Sequence, residues 1–256
     1  MRVGIVQPNY LPWRGYLDLV RQVDLFLLFD DVQYTRRDWR NRNRIKTAQG
    51  WNWLTVPVRH PGRDQRILEV EIAYEVDWQR EHMAQIDAWY RKAPFYDLYR
   101  DELAELLDAG PRTLLELNRS ITLWLMRILD IHTPVRLASE LDAQGRKTDR
   151  LLDLLRKVGA TAYLSGPAAK DYIEVDKFRD AGIGLEYKTY DYADYPQQWG
   201  PFQPGLSVID LIMNVGNGAK EFVVSRSPNE EMLGPGGQET VSGKLAGIER
   251  TSAPSA

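Results

Sequence analysis

Residues 2–6 form a short apolar run that breaks at Gln7-Pro8, and residues 25–29 form a second that ends in Asp30-Asp31. Runs this short, apolar without alternation, predict strands buried on both faces. Between them, Leu17, Leu19 and Val20 give residues 15–22 a helical spacing. The order strand, loop, helix, strand over so few residues predicts a right-handed crossover and a parallel pair. Two β segments are expected at 51–58 and 66–73, joined as a hairpin through the turn at 60–64.

The pattern then becomes helical. Helices are predicted at 77–92, stopped by Ala93-Pro94, at 98–107, at 113–129 and at 148–158. Strands return at 161–164 and 183–187. A last helix is predicted at 207–215, with Ser207 as its cap and Asp210 completing a capping box. The fold class is α/β, a Rossmann-like and mostly parallel sheet with a helical subdomain inserted or appended. We assign 1–75 and 160–220 to the α/β core and 76–159 to the helical region. Residues 227–256, rich in Gly, Ser, Pro and Glu, are expected to be a flexible tail.

Composition narrows the chemistry. The 256 residues are 43% hydrophobic, enough for a large core, and carry a net charge of -3, so any contact with a polyanion must be local. There is no cysteine, which removes disulfides, thiolate metal sites and a cysteine nucleophile. No signal peptide and no membrane-spanning run is apparent, so a cytoplasmic location without membrane insertion is expected. The three histidines, His60, His82 and His132, lack metal-ligand spacing, and no metal site is assigned.

Several segments carry candidate chemistry. The first strand-to-helix junction offers Gln7, Asn9, Tyr10, Trp13, Gly15 and Tyr16 where ligands bind in open α/β sheets. Gly15 there would permit close backbone approach. Asp30 and Asp31, at the exit of the second strand, could orient an amine or take its proton. Adjacent residues on an extended chain point apart, so only one should face a pocket. Gln33 and Tyr34 follow them.

The stretch 36–46 holds six basic residues against one acid. Arg37, Arg40, Arg42, Arg44 and Lys46 suit phosphate, Trp39 could stack on a base or sugar, and Asn41 and Asn43 add polar contacts. Ser165 and Gly166 lie at another strand end, and Asn214 is a polar residue on an apolar helix. His82 is a minor candidate base. A serine hydrolase using Ser165 is disfavoured because no Gly-x-Ser-x-Gly elbow surrounds it.

These segments, in this order, resemble the WbqC-like family. The carrying residues are Val6 to Trp13 with Gly15-Tyr16, Asp30 to Tyr34, Arg37 to Lys46, Trp53 to Val58, Tyr163 to Gly166, Tyr195 to Gln197 and Ser207 to Gly216. The resemblance runs from residue 1 to about 220. It implies a bacterial transferase placing an aminoacyl group, glycine in particular, on an amine of a sugar or small metabolite, in O-antigen or natural-product biosynthesis. The donor stays open among aminoacyl-tRNA, a coenzyme A or carrier-protein thioester, and a free amino acid with Mg-ATP. A tRNA or carrier protein is therefore an expected partner beside the small amine or amino sugar. The rival readings are an ATP- or nucleotide-dependent ligase or nucleotidyltransferase, and a non-catalytic protein that binds a carrier or RNA. The opening also looks like that of the HIGH-motif adenylyltransferases, with Gly15-Tyr16 where those enzymes have Gly-His.

Overall fold

The sheet is built outward from its first strand. In the computed structural model, which describes residues 1–59, 62 and 64–240, β1 (Arg2–Val6) pairs in parallel with β2 (Leu25–Leu28), and α1 (Arg14–Arg21) crosses between them. Their side chains alternate between two cores. Val3, Ile5, Leu25 and Leu27 pack on one side, and Phe26 and Leu28 on the other. That double burial is why both runs read as continuously apolar.

The chain next forms a two-stranded antiparallel ribbon, β3 (Arg42–Thr47) with β4 (Gly50–Thr55). Three helices follow: α2 (Trp78–Tyr90), α3 (Tyr96–Asp108) and α4 (Leu114–Ile128). Asp77 caps α2 by accepting from the Arg80 N–H, and Thr113 caps α4 in a capping box with Glu116. β5 (Val135–Leu137), α5 (Lys147–Lys157), β6 (Ala162–Ser165), α6 (Val175–Asp180) and β7 (Gly184–Tyr187) return the chain to the sheet. α7 (Val208–Val215), the short α8 (Ala219–Phe222) and β8 (Glu230–Leu233) complete the described residues.

The sheet order is β5-β2-β1-β6-β7-β8. Every neighbouring pair is parallel except β7 with the edge strand β8. The chain winds outward from β1 through β2 to β5, then crosses back to β6 on the other side of β1. This mostly parallel α/β architecture is Rossmann-like. It places a switch point, and therefore a crevice, at the carboxyl ends of β1 and β6.

Three expectations differ from the structure. The hairpin expected between 51–58 and 66–73 is absent. β4 pairs with the basic stretch β3, and segments 58 and 72 meet only in an isolated bridge, while Ile67–Glu69 form a single 3-10 turn. Tight turning at Ala48-Gln49 favours the nearer partner, because a short loop costs less closure entropy. Val135–Leu137, within the stretch read as helical, is the edge strand β5, too short to declare itself by pattern. Glu230–Leu233, within the stretch read as a tail, extends the sheet as β8. Residues 241–256 of that stretch, and His60, lie outside the described residues.

Candidate functional site

The crevice at the switch point is a cavity of about 690 Å³. Gln7 and Asn9, just past β1, form its floor together with Ser165 and Gly166 at the end of β6. Trp13, Tyr16, Trp39, Tyr172 and Tyr190 supply aromatic walls. Arg40, Lys147 and Arg150 bring positive charge. No carboxylate and no histidine belongs to this lining. A smaller chamber of about 280 Å³ opens beside it, lined by Asn9, Trp13, Trp39, Asn43, Arg44 and Gly205, and the two share Asn9, Trp13 and Trp39.

Two features make the floor unusual. The side-chain oxygens Oε1 of Gln7 and Oδ1 of Asn9 are buried and take no hydrogen bond within the protein. An unsatisfied buried acceptor is costly, about 1–3 kcal/mol, and at a cleft it marks a place where a ligand's donor belongs. The second feature is the charge. Arg40 pairs with Asp38 at 3.3 Å, and burial lowers its pKa while leaving it cationic. Arg150, half-buried, is ion-paired to Asp31 and also donates to the Ala143 carbonyl. Lys147 makes no ion pair among the described residues. The phenols of Tyr172 and Tyr190 are pushed up by burial, Tyr190 to about 12, so both stay protonated donors at neutral pH.

Several expected site residues turn out to hold the structure instead. Asp30 is fully buried and accepts from the Ser139 N–H at 2.9 Å and the Ser139 hydroxyl at 2.6 Å, with both oxygens occupied. Asp31 is not among the residues lining the cleft; its Oδ2 pairs with Arg150, which is, and its Oδ1 is buried without a partner. His82 is 3% exposed and bonds Tyr10 and the Thr55 carbonyl, and burial lowers its pKa to about 4. It is a neutral core residue, and Tyr10 is its fully buried partner.

Gly15 serves packing. A Cβ there would lie 2.3 Å from the Trp13 ring, so its missing side chain lets Trp13 fold over the helix start and form the cleft wall. Tyr16 reaches the cleft, but burial drives its pKa up, so it offers a neutral phenol where the adenylyltransferase analogy needs an imidazolium. Asn41 donates to the Val56 carbonyl, and Asn214 to the Asp210 carbonyl one helical turn back. Asn43 donates to the carbonyls of Tyr10 (3.2 Å) and Leu11 (2.8 Å), fixing the loop that carries Asn9 and Trp13.

Lys46 is buried against Gln197 and the Pro201 carbonyl, away from both cavities, and burial lowers its pKa. Asp210 does not complete a capping box. It is fully buried and accepts from Tyr90, Tyr195 and Gln197, and burial raises its pKa. Gln33 is exposed and bridges Arg66, Tyr34 is buried beside the basic stretch with its pKa pushed to about 12, and Arg37 is exposed outside the cleft. Arg42 and Arg44 lie on tryptophan faces, Arg42 4.2 Å from the Trp53 ring centre.

Sequence reasoning missed Lys147, Arg150 and Tyr190 as lining residues. The signal for the first two was present. Arg146-Lys147-Thr148-Asp149-Arg150 is a basic run opening a helix just after a strand. Tyr190 gave no signal. It arrives beside Trp13, ring centres 4.7 Å apart, because Lys188 and Tyr192 anchor that segment on buried Asp18.

Fold and crevice together define a doubly wound α/β protein with a cationic, aromatic-walled cleft at its switch point. The profile of the WbqC-like protein family matches residues 7–222, and the chain belongs to that family. It is 40% identical over 224 residues to the uncharacterized protein Rv1507c of Mycobacterium tuberculosis, covering 87% of this chain and 97% of that protein. No solved structure matches it. Among the described residues no helix is long and apolar enough to cross a membrane.

Proposed function

We propose that the protein is a transferase that moves a small acyl or aminoacyl group from an activated donor to an amine on a sugar or small metabolite. The observation that carries this reading is the pair of unsatisfied acceptors, Gln7 Oε1 and Asn9 Oδ1, at the floor of a cleft rich in fixed positive charge. An amine presents the N–H donors those oxygens lack. Arg40, Lys147 and Arg150 would hold the phosphate or other anionic group of a substrate.

The acceptor nitrogen attacks the donor's carbonyl carbon, the bond to the leaving oxygen or sulfur breaks, and the amine proton leaves with that group or with water. The lining holds no carboxylate or imidazole to take it, so catalysis here rests on positioning and on oxyanion stabilisation. The protonated phenols of Tyr172 and Tyr190 are the donors suited to the second task. A covalent serine route lacks support. Ser165 is buried and donates to the Tyr163 hydroxyl, with no base beside it.

The test is to incubate the protein with an amino-sugar nucleotide and, separately, charged glycyl-tRNA, a glycyl thioester, or glycine with Mg-ATP. Mass spectrometry then looks for the acylated amine. Product from one donor, lost in Arg150→Ala and in Gln7→Leu, supports the reading and identifies the donor. Pyrophosphate release from ATP with an adenylated intermediate would replace it by the ligase. Absence of product from every donor with a folded sample refutes it for this class of acceptor.

A further inference from the structure

The β3–β4 ribbon, with Trp39 beside it, carries a row of indoles and arginines that extends beyond the cleft. In its register Arg44 faces Trp53 and Lys46 faces Trp51, so cationic and indole side chains share one surface. Trp39, Trp53 and Trp51 stand in a row, with ring centres 5.6 Å and 5.4 Å apart. The Arg44 guanidinium lies 5.6 Å from the Trp39 ring centre and 5.2 Å from that of Trp51, and Arg42 covers Trp53. The two ends of the row, Trp39 and Trp51, are each 39% exposed.

Cation–π pairing alone would explain arginines covering tryptophans. It does not explain two large indoles left open to solvent at either end. Nor does it explain why Arg42 and Arg44 have no ion pair with a carboxylate among the described residues of an acidic chain, with the Nε of each buried and unpartnered. Each fork gives one N–H to a backbone carbonyl, Arg42 to Arg37 and Arg44 to Gly205 at 3.0 Å, and has no carboxylate to neutralise it. Exposed indoles stack bases, and guanidiniums whose charge is not neutralised take phosphates. Arg44 sits between Trp39 and Trp51 and lies over both rings, while each ring keeps part of its surface exposed, and that order suits a base, a phosphate and a base.

The row is also continuous with the cleft. Trp39 and Arg44 line the smaller chamber, and that chamber shares Asn9, Trp13 and Trp39 with the main cavity. A strand lying on the ribbon therefore has a walled route inward for its end.

We infer that the Trp39–Trp53–Trp51 row with Arg42 and Arg44 is a stacking platform for the end of a single-stranded RNA, two bases stacked on Trp39 and Trp51 and the phosphates held by the arginines. This binding requires no turnover, so it stands or falls separately from the acyl-transfer reading.

The experiment is fluorescence anisotropy with a labelled single-stranded hexaribonucleotide, at several salt concentrations. Two phosphate contacts predict a log–log salt slope of roughly -1.4. Trp51→Ala should weaken binding about tenfold or more, with thermal melting unchanged because the ring is half-exposed, and Trp51→Phe should restore most of it. Arg44→Ala should weaken binding and flatten the salt slope. Three competitors decide the source. A duplex should compete poorly. An abasic strand that competes as well as the intact one would overturn base stacking, and a mononucleotide that competes as well as the hexamer would overturn the strand in favour of a nucleotide pocket. No binding at low salt, or equal binding by Trp51→Ala, overturns the inference.

Discussion

His82 should set the acid limit of the fold. The ring is 3% exposed, and both nitrogens are used. Nε2–H donates to the Thr55 carbonyl at 3.2 Å, which leaves Nδ1 bare to accept from the Tyr10 hydroxyl at 2.8 Å. That is one neutral tautomer with both ends satisfied. Protonation would set an N–H against the Tyr10 hydroxyl and place a charge in the core. Burial accordingly lowers the folded pKa from 6.5 to about 4. When an imidazole pKa is depressed on folding, the unfolded chain takes up the proton first. The residue's contribution is then complete above pH 6.5 and is lost as pH falls toward the folded value. One pKa unit is worth about 1.4 kcal/mol, so the loss is about 2 kcal/mol by about pH 5 and about 3 kcal/mol near pH 4. Either is a large share of a typical domain stability of about 5–15 kcal/mol. The assay is urea unfolding followed by tryptophan fluorescence, near neutrality and near pH 5, for the native protein and His82→Gln. The glutamine amide can still accept from Tyr10 but does not titrate. The variant should be less stable at neutrality, yet its loss on acidification should be smaller by about 2 kcal/mol. An equal acid loss in both proteins would refute the argument.

Other perturbations separate a structural carboxylate from one that acts on the cleft through Arg150. Asp30→Ala strands the Ser139 N–H and hydroxyl and should cost about 2–3 kcal/mol in urea unfolding, with KM and kcat of the folded fraction unchanged. Asp31→Asn releases Arg150 from its ion pair, so KM for an anionic substrate should rise several-fold while kcat stays nearly constant; a fall in kcat alone would mean Asp31 touches the reaction. Gly15→Ala must push the Trp13 ring aside, which should cost about 1–3 kcal/mol and shift the fluorescence of the cleft wall.

The sheet was legible because β1 and β2 are buried on both faces, which leaves a run of apolar residues that any local window sees. The helix starts at 77 and 113 were legible as well, each one residue from the observed first turn. β3 was not. Its sequence, Arg-Asn-Arg-Ile-Lys-Thr, looks like a charged loop, because its burial comes from Lys46 and Asn43 finding partners more than thirty residues away. The cleft divides along the same line. Gln7, Asn9, Trp13 and Ser165 sit at strand ends that the topology fixes, so a correct sheet order delivers them.

Asp30, Asp210 and Asn214 find partners inside the fold that sequence could not show, because a polar residue at a suggestive place is equally well a buried acceptor or donor, and only the third dimension supplies the partner. Asp210 shows the point most clearly. Ser207 and Asp210 have capping-box spacing, yet the carboxylate turns inward to three donors, one of them 120 residues away. The hydrogen bonds from these three donors pull the pKa down, but burial outweighs them and the pKa stays raised. This network holds α7 to α2 and, through the Tyr90 hydroxyl that also accepts from the Lys46 N–H, to β3. The ribbon that carries Arg42 and Arg44 is thus fixed against the helical layer by a carboxylate on another element, and the Lys46 ammonium, bonded to Gln197 and the Pro201 carbonyl, ties its far end to the loop before α7.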